Sequence, residues 1–171
     1  REGLFDWLAA HAVRAARGSA RRLFMIVYAV GTLTTIFLSN DATAVVLTPA
    51  VHAAATAARV APLPYLLICA FVANAASFVL PISNPANLVI FGAQMPPLLQ
   101  WLTLFTLPSI SAIAITFVAL RWTQRHALEQ RMHDNVALQP LSLTGHCVGA
   151  AVAATGIVLL AASAFDRPLG L

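Results

Sequence analysis

An all-α membrane protein is the fold class this sequence predicts, on three observations. The chain has 171 residues, 60% hydrophobic and 9% charged, where a soluble domain averages roughly 25% charged residues. Between Leu23 and Leu120 only Asp41 and Arg59 carry a formal charge. The apolar runs, residues 63–82 and 98–122 foremost, reach the roughly 20 residues that a helix needs to cross a bilayer. All ten basic residues are arginine, and the net charge is +4. Arg14, Arg17, Arg21 and Arg22 precede the first apolar run, and Arg121, Arg125 and Arg131 follow a later one. Basic flanks of this kind mark cytoplasmic loops, so the lipid bilayer is the expected partner and nucleic acid is not. Cys69 and Cys147 lie in apolar surroundings and read as small buried hydrophobes. No zinc spacing or disulfide framework is present, and no metal or cofactor is expected.

Taken in order, residues 1–22 are expected to form an amphipathic helix in the cytoplasmic interface. Leu4, Leu8 and Val13 fall near one face with Phe5 and Trp7 close by, and arginines dominate the second half. An apolar aromatic face with basic charge suits a helix lying on a membrane. Residues 23–58 read as a re-entrant hairpin with its tip near 39–43. Each arm is too short for a hydrocarbon layer of roughly 30 Å at 1.5 Å per residue. Two thin full spans joined by an external loop would return the chain to the same side, so that alternative stays open.

Residues 62–92 are expected to be a transmembrane helix broken at 81–87. Pro81 and Pro85 lack backbone donors, and Asn84, ahead of a proline, is steered out of helical geometry. Leu88–Phe91 then resumes an apolar run unsuited to a loop. Residues 98–122 form the cleanest span. Trp101 and Trp122 lie 21 positions apart, roughly 32 Å of helix, which suggests an aromatic anchor at each interface. Residues 123–144 read as a cytoplasmic loop. Residues 145–165 read as a final span rich in Ala and Gly, suited to close packing.

Asp41 is the most informative residue. A carboxylate at a bilayer centre costs about 2.5–3.5 kcal/mol, so an ionisable group there is a functional candidate by default. Asn40 or Asp41 capping the helix that follows explains the residue type but not the depth. Two Ser-Asn pairs occur, Ser39-Asn40 and Ser83-Asn84, each at an interruption. Broken helices expose unpaired N–H groups at one end and C=O groups at the other, and many secondary transporters build midplane binding sites from facing breaks. Thr43 and Thr48 add hydroxyls to the first break, and Pro49 is expected to kink its second arm. Asn87 adds an amide to the second.

At these residues the chain resembles the ion transporter superfamily. The stretch from Phe37 through Ser39-Asn40-Asp41-Ala42-Thr43 to Pro49 is similar to the hairpin motif shared by arsenical-pump membrane proteins and divalent-anion:sodium symporters. The stretch from Ala73 through Pro81-Ile82-Ser83-Asn84-Pro85-Ala86-Asn87 to Leu88 resembles the broken helix that faces it. The wording of both is nearest the arsenite efflux branch; the sodium-coupled branch usually has Thr where Asp41 stands. The resemblance implies two inverted repeats, each with a hairpin and a broken helix. This chain, which starts at Arg1, is then expected to be a piece holding about one repeat, with the second half of the same protein as its missing partner. It places Ser39, Asn40, Asp41, Thr43, Ser83, Asn84 and Asn87 on the substrate and ion site, with Pro49, Pro81 and Pro85 shaping the breaks.

The expected function is a secondary transporter exporting arsenite or antimonite across the cytoplasmic inner membrane, coupled to protons through Asp41. Burial disfavours a carboxylate, while nearby N–H groups or a cation favour it, so alternation between such settings would load and unload a proton. The small inorganic substrate and the coupling ion are the ligands. A homodimer or an ATPase partner is compatible with this reading. The alternative keeps the fold but moves a di- or tricarboxylate or an inorganic anion, or exchanges sodium for protons. An intramembrane enzyme fits poorly, because aspartyl chemistry needs two carboxylates sharing a site and only Asp41 lies in the apolar region.

Overall fold

The computed structural model describes residues 4–132 and, beyond them, Cys147, Ala150, Ala151, Ala154 and Val158. The expected final span at 145–165 thus lies outside the described residues except at those five positions, and the expected loop at 123–144 is described only as far as 132. The described chain is helical: α1 (Leu4–Ala15), α2 (Ala20–Phe37), a π-helical segment (Ala42–Leu47) running into α3 (Thr48–Ala57), α4 (Leu63–Ala75), α5 (Pro85–Phe91) and α6 (Leu98–Thr123). Short 3-10 turns cover Pro81–Ser83, Gly92–Gln94 and Ala127–Glu129. Among the described residues there is no strand, only an isolated bridge between Ser19 and Arg131.

The stretch expected as one helix over 1–22 divides at Arg17 and Gly18, whose φ angles are 48° and 73°. Two consecutive left-handed residues cannot continue a right-handed helix. Ser19 then caps α2, its hydroxyl accepting from the Arg22 N–H at 3.4 Å. Arg21 and Arg22 therefore belong to the first turn of α2 rather than to the surface helix.

α2 packs on α4, α1 on α3, and α4 on α6. The core joins Val13, Leu23, Phe24, Leu47, Val51, Tyr65, Ile68 and Val72, all buried. Gly31 lies at the α2–α4 contact. A Cβ there would meet Ile68, Leu47 and Val72 at 3.7, 3.7 and 3.8 Å, ordinary packing distances. Two tyrosines tie helices together across this core. Tyr28 Oη donates to the Ile113 carbonyl at 2.7 Å and Tyr65 Oη donates to the Ala20 carbonyl at 3.2 Å. Each buried hydroxyl thereby finds a partner, as burial of a polar tip requires.

α2 (18 residues) and α6 (26 residues) are long and apolar enough to cross a bilayer, while Ala42–Ala57 and Leu63–Ala75 are shorter. α6 carries Pro108 in its interior, which takes away one backbone donor. The neighbouring Ser109 hydroxyl is buried without a hydrogen-bond partner among the described residues. α3 ends on Arg59 at φ 55°. The Val60 N–H returns to the Ala55 carbonyl at 3.1 Å and the Arg59 N–H to Thr56 at 3.0 Å, a left-handed termination usually given to glycine.

Candidate functional site

The first interruption follows from a loss of helical pairing after Phe37. The N–H groups of Leu38 and Ser39 both reach the Thr34 carbonyl, at 2.9 and 3.3 Å. The cap on the next helical stretch is Ser39, whose hydroxyl accepts from the Ala42 N–H at 3.1 Å. Asn40 and Asp41, for which capping was the alternative role, are already in helical conformation, and Asp41 makes no side-chain cap bond. The π-helical turn closes with the Thr48 N–H on the Thr43 carbonyl, which also accepts from the Thr48 hydroxyl at 3.1 Å. Pro49 follows in the first turn of α3, where a missing N–H is tolerated.

Thr43 is fully buried and its hydroxyl lies 2.8 Å from that of Thr35. The Thr35 hydroxyl also reaches the Gly31 carbonyl at 2.9 Å, and the Thr43 hydroxyl the Ser39 carbonyl at 3.5 Å. Thr43 thus braces the π turn against α2. Asn40 is half-buried, with its Oδ1 buried and without a partner among the described residues. Asp41 is exposed on the surface formed by the described residues and makes no hydrogen bond or ion pair with them. Val45 and Val46 beside it are exposed as well, Val45 by 72%.

The second interruption opens earlier than the prolines suggest. α4 ends at Ala75, six residues before Pro81. Its freed carbonyls are met by side chains from elsewhere. Asn87 Nδ2 donates to Ser77 and Pro81, both at 3.2 Å. Trp101 Nε1 donates to Phe78 at 3.0 Å. Ser83 Oγ accepts from the Leu80 N–H at 3.2 Å. Asn84 takes up extended backbone, and its Oδ1 caps α5 through the Ala86 N–H at 2.9 Å. Trp101, expected as an interfacial anchor, is fully buried and stacks on Phe105 at 4.3 Å, with Phe91 edge-on at 5.2 Å. Trp122 is the exposed one of the pair.

One hydrogen bond joins the two breaks. Ser83 Oγ donates to the Ile36 carbonyl in the last turn of α2 at 2.8 Å. Ser83 and Asn87 are both fully buried. The two carbonyls that Asn87 meets require its amide nitrogen to face them, which fixes where its oxygen points. That oxygen, Asn87 Oδ1, is buried and has no partner among the described residues. A buried carbonyl oxygen without a donor is uncommon in native structures and calls for an explanation. Sequence reasoning placed Asn74 and Ser77 on the approach to the second break, and the Ser77 carbonyl is one that Asn87 meets. It missed Thr35, which stands in a Thr-rich turn of α2, and the donor role of Trp101.

Two interrupted helices joined at their breaks, in an apolar bundle, are the arrangement from which secondary transporters make ligand sites. The chain matches the citrate transporter family (CitMHS) over residues 1–167, and it belongs to that family. It is an ion transporter superfamily member of the arsenical-pump type. It is 31% identical over 124 residues to an arsenical pump membrane protein of Escherichia coli, covering 69% of this chain and 28% of the relative. It is 30% identical over 134 residues to the arsenical pump membrane protein of Escherichia coli strain K12, covering 75% and 30%. A shorter stretch of 57 residues is 42% identical to the uncharacterized transporter YfbS of the same strain, covering 33% of this chain and 9% of the relative. The chain thus spans less than a third of the length of these relatives. No solved structure matches. Family membership indicates a membrane transporter rather than an enzyme.

Proposed function

We propose that the intact protein is a secondary transporter exporting arsenite or antimonite, coupled to protons, with cargo and proton meeting at the joined breaks. The observation that carries this reading is the fully buried Asn87 Oδ1, an acceptor with no donor, in a break tied to the first by Ser83. Arsenous acid is neutral and offers hydroxyl donors, which suit an orphaned carbonyl oxygen. Ionised carboxylates offer acceptors only, and citrate adds a single hydroxyl donor to three of them. No arginine occurs in residues 23–58 or 60–120 to pair with one. Asp41 at the tip would repel an anion at close range. The relatives named as arsenical pumps agree with this choice.

Ser39, Asn40, Asp41 and Thr43 then form the hairpin side of the site, and Ser83, Asn84 and Asn87 the facing side. Thr43, Ser83 and Asn84 act mainly by holding the backbone, while Asn40, Asp41 and Asn87 keep free polar atoms for ligand. Asp41 carries the coupling proton. Residues 23–58 are the re-entrant hairpin of this arrangement, and the second half of the protein covers the exposed tip. The cytoplasmic inner membrane is the location.

A second reading rests on the family match. The citrate transporter description and the same unpaired oxygen favour an anion carried with a cation, since carbonyl oxygens coordinate hard cations.

The test is flux in vesicles. The full-length protein in inside-out vesicles is expected to accumulate arsenite when an inward-acid proton gradient is imposed. Asp41→Asn is expected to lose the proton dependence. Gradient-driven pumping by Asp41→Asn with unchanged proton dependence would exclude the coupling role. Citrate uptake that depends on a divalent cation, without arsenite flux, would replace the first reading by the second.

A further inference from the structure

The N-terminal end of α2 and the C-terminal end of α6 meet around a pocket of about 290 Å3, remote in sequence from both breaks. Three guanidinium groups line it, those of Arg21, Arg121 and Arg125, over Phe24, Met25 and Leu128. Among the described residues the only carboxylate there, Glu129, is 3.1 Å from Arg21. Arg121 rests 6.0 Å from the Phe117 ring centroid, and Arg125 Nε donates to His126 Nε2 at 3.3 Å. Neither has an acidic partner among the described residues. Two positive charges are thus left over a floor of apolar side chains.

We propose that this pocket holds the phosphate headgroup of an anionic phospholipid. Charge complementarity and position select this occupant. Guanidinium groups grip phosphate oxygens in pairs, and basic pockets between transmembrane helices at the cytoplasmic side bind acidic headgroups. The pocket lies at the ends of the two helices long enough to span a bilayer. Met25 in its lining is exposed by 43%, offering an apolar path for the acyl chains. A free phosphate would use the arginines but gain nothing from that path.

The proposal is tested on the delipidated full-length protein in detergent, by its thermal unfolding midpoint during titration with dioleoylphosphatidylglycerol, dioleoylphosphatidylcholine or inorganic phosphate. Phosphatidylglycerol is expected to raise the midpoint at the lowest concentration. Arg121→Gln with Arg125→Gln is expected to raise its half-saturating concentration about 25-fold, about fivefold per arginine. Arg121→Lys with Arg125→Lys, which keeps the charge, is expected to weaken it less, and it serves if the glutamine pair does not fold. Arg14→Gln, exposed and outside the pocket, is expected to bind as the parent does. Equal protection by phosphatidylcholine overturns the proposal, as does unchanged affinity in both paired variants. Equal loss in Arg14→Gln would assign the effect to diffuse surface charge, and equal protection by inorganic phosphate would assign the pocket to a soluble anion.

Discussion

Replacing Ser83 by alanine is the sharpest probe of how the breaks are held. The hydroxyl donates to the Ile36 carbonyl at 2.8 Å and accepts from the Leu80 N–H at 3.2 Å. The residue is fully buried, so nothing from outside replaces either bond. An orphaned buried group costs about 1–3 kcal/mol in water-soluble cores. Hydrogen bonds between membrane helices average about 0.6 kcal/mol and reach about 1.7. Two bonds lost together then give about 1–3 kcal/mol, or a shift of about 5- to 150-fold in the unfolding equilibrium. Equilibrium unfolding of the intact protein in mixed micelles measures this directly. Ser109→Ala is the matched control, because that buried hydroxyl has no partner among the described residues and its removal is expected to be neutral or stabilising. If the two alanine variants unfold within about 0.3 kcal/mol of each other, the link between the breaks does not carry the stability assigned to it.

Two further outcomes follow from the geometry. Arg59→Gly is expected to stabilise the fold by about 1 kcal/mol, because φ 55° is strained for a residue with a Cβ and free for glycine; a raised unfolding midpoint checks this, and a lowered one refutes it. Trp101→Phe keeps most of the ring packing but removes the donor to the Phe78 carbonyl, so it is expected to cost about 1–2 kcal/mol and to speed hydrogen exchange across residues 76–80 before the rest of the bundle.

The breaks were legible in the sequence because proline and Ser-Asn leave local marks. Pro81 and Pro85 cannot donate, and Asn84 before a proline goes extended, as the structure shows at φ −147°. The point at which α4 gives out was not legible. Nothing in Ala75-Ala76-Ser77 forbids a helix. The break opens there because Asn87 and Trp101, distant in sequence, supply donors to the carbonyls of Ser77, Phe78 and Pro81. The same blindness to tertiary partners placed Trp101 at an interface, where spacing alone seemed to put it. The division between α1 and α2 did leave a signal, Gly18 followed by the capping Ser19, but the run of arginines across it read as one basic face. Asp41 is the lone acid between Leu23 and Leu120. Its neighbour Ser39, not Asp41, does the capping, so the carboxylate is free of that structural duty.

The hydroxyl and amide groups along the second interruption have a dual allegiance with a practical result for genetics. Ser83 and Asn87 are wired into the backbone before any ligand arrives. Under the proposed function, resistance screens that score only survival would therefore recover them whether the lesion lies in cargo handling or in biogenesis. Asp41, whose side chain makes no bond to the described residues, would under the same proposal be the position where a lost phenotype reports on transport itself.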